Sequence, residues 1–247
     1  MADEPVDARL SRINTLWSLV NQANQAGSDR DAQGRLLERY GGAVYRYLLG
    51  AVRDTSVADE LFQEFALRFL QGKFHAVAPD KGRFRDYVKA VLFNLVSLHH
   101  KQKNRLPFQA ESQVLASAAD TPEDQADLDF NHSWRDELLA RTWEALAELQ
   151  KQTGSLYFTM LDYRTRHPQS DSAEMAVQLS RDLNKPLTAA GVRQTIHRAR
   201  DKFADLLLEE VSRSLQTESV DDVEQEVIDL GLHSYCADAI KRRREAK

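Results

Sequence analysis

Apolar residues recur at helical spacing along most of the chain. Leu10, Ile13, Leu16, Trp17 and Val20 predict a helix over residues 9–25, and a polar stretch over 26–33 reads as loop. Leu36, Leu37, Tyr40, Val44, Tyr47 and Leu48 predict a second helix, with Gly41 and Gly42 inside it. Each glycine costs about 1 kcal/mol against alanine in a helix interior, so close packing is the reason to expect them there. Ser56 followed by Asp59 resembles a capping box, opening a helix that buries Val57, Leu61, Phe62, Phe65, Phe69 and Leu70. After a loop over 72–82, Phe84, Tyr87, Val88, Val91, Leu92, Leu95 and Leu98 form the stripe of a fourth helix, to Lys101.

Residues 106–119 lack any period and read as linker. Thr121-Pro122-Glu123-Asp124 then places an N-cap, a proline and two early acids in helix-starting order. Trp134, Leu138, Ala145 and Leu149 carry that helix to about residue 152. Residues 156–163 suit a strand or a helix, and helix is the expectation. Asp171 with Glu174 starts a short helix over 172–183, Asn184-Lys185-Pro186 turns, and Thr188 caps a long helix with Val192, Ile196, Ala199, Phe203 and Leu206 inside. Short helix, turn, long basic helix is the helix-turn-helix order. The fold expected is all-α, with two helical domains joined by an acidic linker. An amino-terminal extension covers 1–30, the first domain 31–105, the linker 106–133, the helix-turn-helix domain 134–209 and a carboxy-terminal helical extension 210–247.

Composition agrees. Ten glycines and six prolines in 247 residues are too few for the turns of a sandwich or barrel. The lone Cys236 excludes an internal disulfide or a multi-cysteine zinc site. The acidic start Met1-Ala2-Asp3-Glu4-Pro5 does not read as a secretory signal. No run approaches the roughly 18 apolar residues of a membrane span, so a cytoplasmic protein is expected. The net charge of −5 hides separate zones. Arg83, Arg85, Lys89, Lys101, Lys103 and Arg105 face only Asp86, and Lys185, Arg193, Arg198, Arg200 and Lys202 face only Asp201. Between them, residues 106–134 carry six acids and no lysine or arginine.

These zones suggest chemistry. Arg85, Lys89, Phe93, Ser97 and Lys101 fall four residues apart, on one helix ridge read as the solvent side. Cations flanking an exposed aromatic suit single-stranded nucleic acid, where a ring stacks on a base. Packing of Phe93 beneath the linker or the amino-terminal helix explains the same spacing. On the long basic helix, Arg193, Gln194, His197 and Arg198 lie where a recognition helix reads base edges. Asp59, Glu60, Gln63 and Glu64 form an acidic face suited to an arginine-rich protein surface. No nucleotide loop, nucleophile elbow or zinc-protease motif occurs. His99 and His100, adjacent on a helix, point about 100° apart. No catalytic residue, metal site or cofactor is therefore expected.

Taken together, three blocks resemble bacterial sigma factors of the extracytoplasmic-function type. They are Ala58-Asp59-Glu60-Leu61-Phe62-Gln63-Glu64-Phe65, Pro79-Asp80-Lys81-Gly82-Arg83-Phe84-Arg85-Asp86-Tyr87 with Asn94-Leu95 and His99, and Leu187-Thr188 with residues Val192 to Arg200. The resemblance covers about residues 35–105 and 135–208. It implies a factor that binds core RNA polymerase and directs it to promoter DNA. Asp59, Glu60, Gln63 and Glu64 would then meet the polymerase. Arg83, Arg85, Lys89, Phe93, Asn94, Ser97, Lys101 and Lys103 would capture the melted −10 strand. Thr188, Arg193, Gln194, His197, Arg198 and Arg200 would read the −35 element, and the acidic linker would enter the RNA channel. An inhibitory regulator of anti-sigma or kinase type is a further possible partner. The chain departs from the family at Phe93 and Leu98, where arginine and aspartate are usual, and in its longer 180–187 connection. The acidic stretch 211–230 and the basic Lys241-Arg242-Arg243-Arg244 lie outside the shared domains. Two readings of this tail stand: its acids fold back onto the basic DNA-binding surface, or it is a solvated extension. Rival functions are a polymerase-independent helix-turn-helix regulator and a helical protein adaptor.

Overall fold

The computed structural model describes residues 28–70, 84–103, 123–215 and 217–246. Every regular element among them is helical: α1 Ser28–Val52, α2 Thr55–Leu70, α3 Phe84–Lys103, α4 Glu123–Thr153, α5 Tyr157–Arg166, α6 Ser172–Asp182, α7 Ala189–Leu215, α8 Val220–Asp229 and α9 His233–Glu245. The expected helix over 9–25, the 72–82 loop, Arg83, Arg105 and the linker up to residue 122 lie outside the described residues. Helix α1 begins at Ser28, inside the stretch read as loop. Polarity alone does not break a helix. Two compact units divide between Glu137 and Leu138, so α4 supplies residues to each.

In the first unit, α1 and α2 pack through Tyr40, Val44, Leu48, Phe62 and Phe65, and α3 adds Val88, Leu92 and Leu95. Helix α1 stops at Arg53, whose φ of 53° is left-handed and whose amide donates to the Leu49 carbonyl. The cap of α2 is Asp54, not Ser56. Its Oδ1 accepts from the amides of Ser56 and Val57 at 2.9 and 3.2 Å. Asp59, the expected capping partner, instead accepts a hydrogen bond from the Tyr45 hydroxyl at 2.8 Å.

The larger correction concerns the linker. A helix does start at Glu123, as the order of cap, proline and acids predicts, but its first turns, inside the expected 106–133 connector, belong to the first unit, where Phe130 and Trp134 are completely buried. Trp134 stacks on Tyr40 at 4.6 Å, and Phe130 meets Tyr47 edge-on at 5.6 Å. Two aromatics four residues apart make a sufficient apolar stripe, and the surrounding acids mask it in composition. One further turn along α4, Glu137 lies against Gly42. A Cβ at Gly42 would come within 2.5 Å of the Glu137 carboxylate, which Arg46 holds at 2.7 Å. The close packing expected at this glycine is present.

The second unit is built around α7. Leu146, Met160, Leu161, Met175, Leu179, Val192, Ile196 and Ala199 form its first cluster, joining α4, α5 and α6 to the front half of α7. The back half buries Leu207, Leu208 and Val211, against which the extension packs with Val223, Val227, Cys236, Ala239 and Ile240. Gly231, at φ 68°, turns the chain between α8 and α9. Its amide bonds to Ile228 and that of Leu232 to Val227, closing α8. The residues after 209 are thus part of a core and not a solvated appendage. Burial raises the Cys236 thiol to about 11 and keeps it protonated.

Replacing Phe130→Ala, inside the stretch read as linker, is expected to cost about 3–5 kcal/mol, read as a lower urea midpoint for the first unit. A connector residue would cost nothing measurable.

Candidate nucleic-acid interface

The short helix α6 and the long helix α7 are positioned by local chemistry that the sequence announces. Asp171 caps α6 in a full capping box: its carboxylate accepts from the Ala173 and Glu174 amides at 2.7 and 2.9 Å, and Glu174 returns to the Asp171 amide at 3.1 Å. Those backbone bonds lower the Asp171 pKa. At the other end Asn184 adopts φ 47°, a left-handed angle asparagine tolerates. Its amide bonds to Arg181 and that of Lys185 to Ser180, while Ser180 Oγ accepts from Leu187 at 2.9 Å. The six residues between α6 and α7 are therefore pinned at both ends. Thr188 Oγ1 then accepts from the Gly191 amide at 3.1 Å, as a cap should.

With Val192, Ile196 and Ala199 buried, α7 turns Arg193, Gln194, His197, Arg198 and Arg200 to solvent. Arg193, Arg198 and Arg200 make no hydrogen bond or ion pair among the described residues. His197 Nδ1 lies 3.0 Å from Asp201 Oδ2. All the α7 residues expected to read DNA are thus exposed on one helix.

The ridge of α3 is different. It is not a solvent face over its first half. Arg85 is 5% exposed and donates to Asn131 Oδ1. Lys89 bonds Asp127 at 2.9 Å, and Phe93 stacks on Tyr47 at 5.7 Å. Burial, then Asp129 and Asp127, raise the Tyr47 hydroxyl well above its ordinary value. The aromatic therefore packs, against α1, and the start of α4 brings the carboxylate that neutralises Lys89. Packing of Phe93 is the alternative that its spacing allows, though the partner is Tyr47 of α1, and nothing in the periodicity of α3 announces the carboxylate over Lys89. Asn94, Ser97, Leu98, Lys101 and Lys103 remain exposed. His99 and His100 touch edge-on at 5.8 Å, burial lowers the His100 pKa, and no metal-ligating cluster occurs among the described residues.

On α2, Glu60, Gln63, Glu64 and Leu67 are exposed along one ridge, whereas Asp59 is half-buried beneath Tyr45. Glu64 pairs with Arg68. The open part of the acidic face is centred on Glu60 and Gln63.

Sequence reasoning missed a cleft of about 660 Å³ beside α7, whose walls include Arg164 of α5, Arg193 and Arg200 of α7, and Tyr235 and Arg242 of α9. Only the fold joins residues so far apart, and the triple arginine of the tail was its one trace in sequence. None of the acids of the 211–230 stretch lines this cleft. Asp221 and Glu224 hold Arg244, and Glu226 is buried; of the cleft residues supplied by the tail, Asp238 is the acid.

Compared with known proteins, the chain matches no family model, no curated protein and no solved structure. Among the described residues no helix is long and apolar enough to cross a membrane.

Two outcomes follow. Arg85→Ala should lower stability by about 2–3 kcal/mol, since it removes a buried charge-assisted bond and its packing. Lys101→Ala should stay within about 0.5 kcal/mol. Urea titration of both separates an internal arginine from a surface one. Because its pKa is depressed on folding, Asp171 stabilises the second unit above the ordinary carboxylate range and loses that effect as pH falls through its folded value. Asp171→Asn retains the cap but should flatten the acid limb of the melting temperature against pH.

Proposed function

We propose that this chain is a transcription initiation factor of the sigma type, which brings core RNA polymerase to promoter DNA and has no catalytic activity of its own. The observation that carries the reading is α7. This long helix presents to solvent arginines that have no partner among the described residues, a glutamine and a histidine, behind a shorter helix with a complete capping box. Arginine and glutamine in that position read guanine and adenine edges. In this reading, Arg193, Gln194, His197, Arg198 and Arg200 meet the −35 element. Glu60, Gln63 and Glu64 contact polymerase, with Leu67 adding apolar surface. Such a factor works in the cytoplasm, and the exposed α2 ridge is also open to an inhibitory regulator.

One observation favours a second reading, a helix-turn-helix regulator that binds duplex DNA without polymerase. Arg85, Lys89 and Phe93 are engaged inside the first unit. A −10 strand would therefore meet only Asn94, Ser97, Lys101 and Lys103 on α3.

Run-off transcription with purified core polymerase and a library of bacterial promoter fragments tests the choice. A sigma factor yields promoter-specific transcripts that depend on the protein. These should fall by about tenfold or more in the triple variant Glu60→Lys, Gln63→Lys, Glu64→Lys, since like charges across an interface oppose association. Tight operator binding without polymerase, and no transcripts with it, would establish the regulator instead.

A further inference from the structure

Resting on the DNA-binding reading above, we infer that the cleft between α7 and α9 seats a phosphate of the duplex backbone flanking the bases read by α7. The carboxy-terminal extension is then a wall of the DNA-binding surface and not a cover over it.

Charge is the first reason. Arg164, Arg193, Arg200 and Arg242 line the cleft against Asp201 and Asp238. Arg193 and Arg200 have no partner among the described residues, so their donors are available to an anion. The second reason is what α9 does to α7. Asp201 and Asp205, farther along the open side of the recognition helix, would repel a phosphate backbone. Arg242 donates to Asp205 Oδ1 at 3.0 Å and stands 3.8 Å from Asp201 Oδ1, while Arg243 bonds the Asp205 carbonyl at 3.0 Å. The tail thereby neutralises the acids that oppose binding. Packing by Cys236, Ala239 and Ile240, all at most 2% exposed, fixes these arginines in place.

The third reason is Tyr235, which is 73% exposed on the rim of the cleft. Its hydroxyl can donate to a phosphate oxygen, a common backbone contact. Duplex DNA fits better than a free nucleotide. Small-molecule sites bury most of their ligand between mainly apolar walls. Here the heads of Arg193, His197, Arg200 and Tyr235 all stand in solvent, which suits a charged strand passing across them.

The test uses the full-length chain and a fluorescent duplex of random sequence, about 30 base pairs long, because phosphate contacts are sequence-independent and appear in the salt dependence. Binding is titrated at several salt concentrations. Arg164→Gln and Arg242→Gln should each reduce the slope of log K against log salt by about 0.9. Arg242→Lys should keep the slope, and Lys241→Gln, on α9 but outside the cleft, should leave it unchanged. Tyr235→Phe should weaken binding without altering the slope. Circular-dichroism melts accompany each variant; if Arg242→Gln loosens α9, Arg164→Gln on the opposite wall decides.

Unchanged slopes in both arginine variants, with binding still lost in Arg198→Ala, would overturn this inference while leaving the DNA reading intact. Tighter binding on removing Arg242 would overturn it in favour of a shielding helix. Adenosine monophosphate bound by the chain, lost in Tyr235→Ala with duplex binding unaffected, would overturn it in favour of a small-ligand pocket. Absence of duplex binding with or without core polymerase would overturn both readings.

Discussion

The second unit depends on one constraint: α7 must bury a stripe along its whole length. Val192, Ile196 and Ala199 pack toward α5 and α6, and Leu207, Leu208 and Val211 toward α8 and α9. A 27-residue helix is about 40 Å long, too long for one small helical cluster to cover. The extension supplies the second cluster. Once that stripe is covered, the opposite side of the front half faces solvent, and it carries the cations. Burial of apolar residues therefore sets the orientation of the polar ones.

The same logic governs the first unit with the opposite result. There the aromatic stack of Tyr40, Trp134, Phe130 and Tyr47 draws the start of α4 into the core. A fully buried aromatic side chain is worth roughly 2–3 kcal/mol, so this docking is strongly favoured. Its by-product is electrostatic. Asp127 and Asn131 arrive beside Lys89 and Arg85, and a basic stripe becomes half internal. Acids read as a connector act instead as partners within a fold.

Charge placement in the tail follows a comparable rule. Long arginine side chains seek the nearest carboxylates, and on α9 Arg242 meets Asp205 of α7 while Arg244 meets Asp221 and Glu224 of α8. Such exposed pairs contribute little to stability individually. Their consequence lies in the field around α7, where Asp201 and Asp205 are offset.

Much was legible in the sequence by itself. Helical periodicity determined the all-α class, the α6–turn–α7 order, the caps at Asp171 and Thr188, and the exposed set Arg193, Gln194, His197 and Arg198. These depend on residues within one or two helical turns, and such interactions are written in local spacing. Tertiary structure alone decided that Arg85 is internal, that Phe93 stacks on Tyr47, that Trp134 belongs to the first core, and that Arg242 stands beside Asp205. A helix has two or more faces able to carry an apolar or charged row. Which of them meets water depends on a partner dozens of residues away, and no local pattern contains that partner.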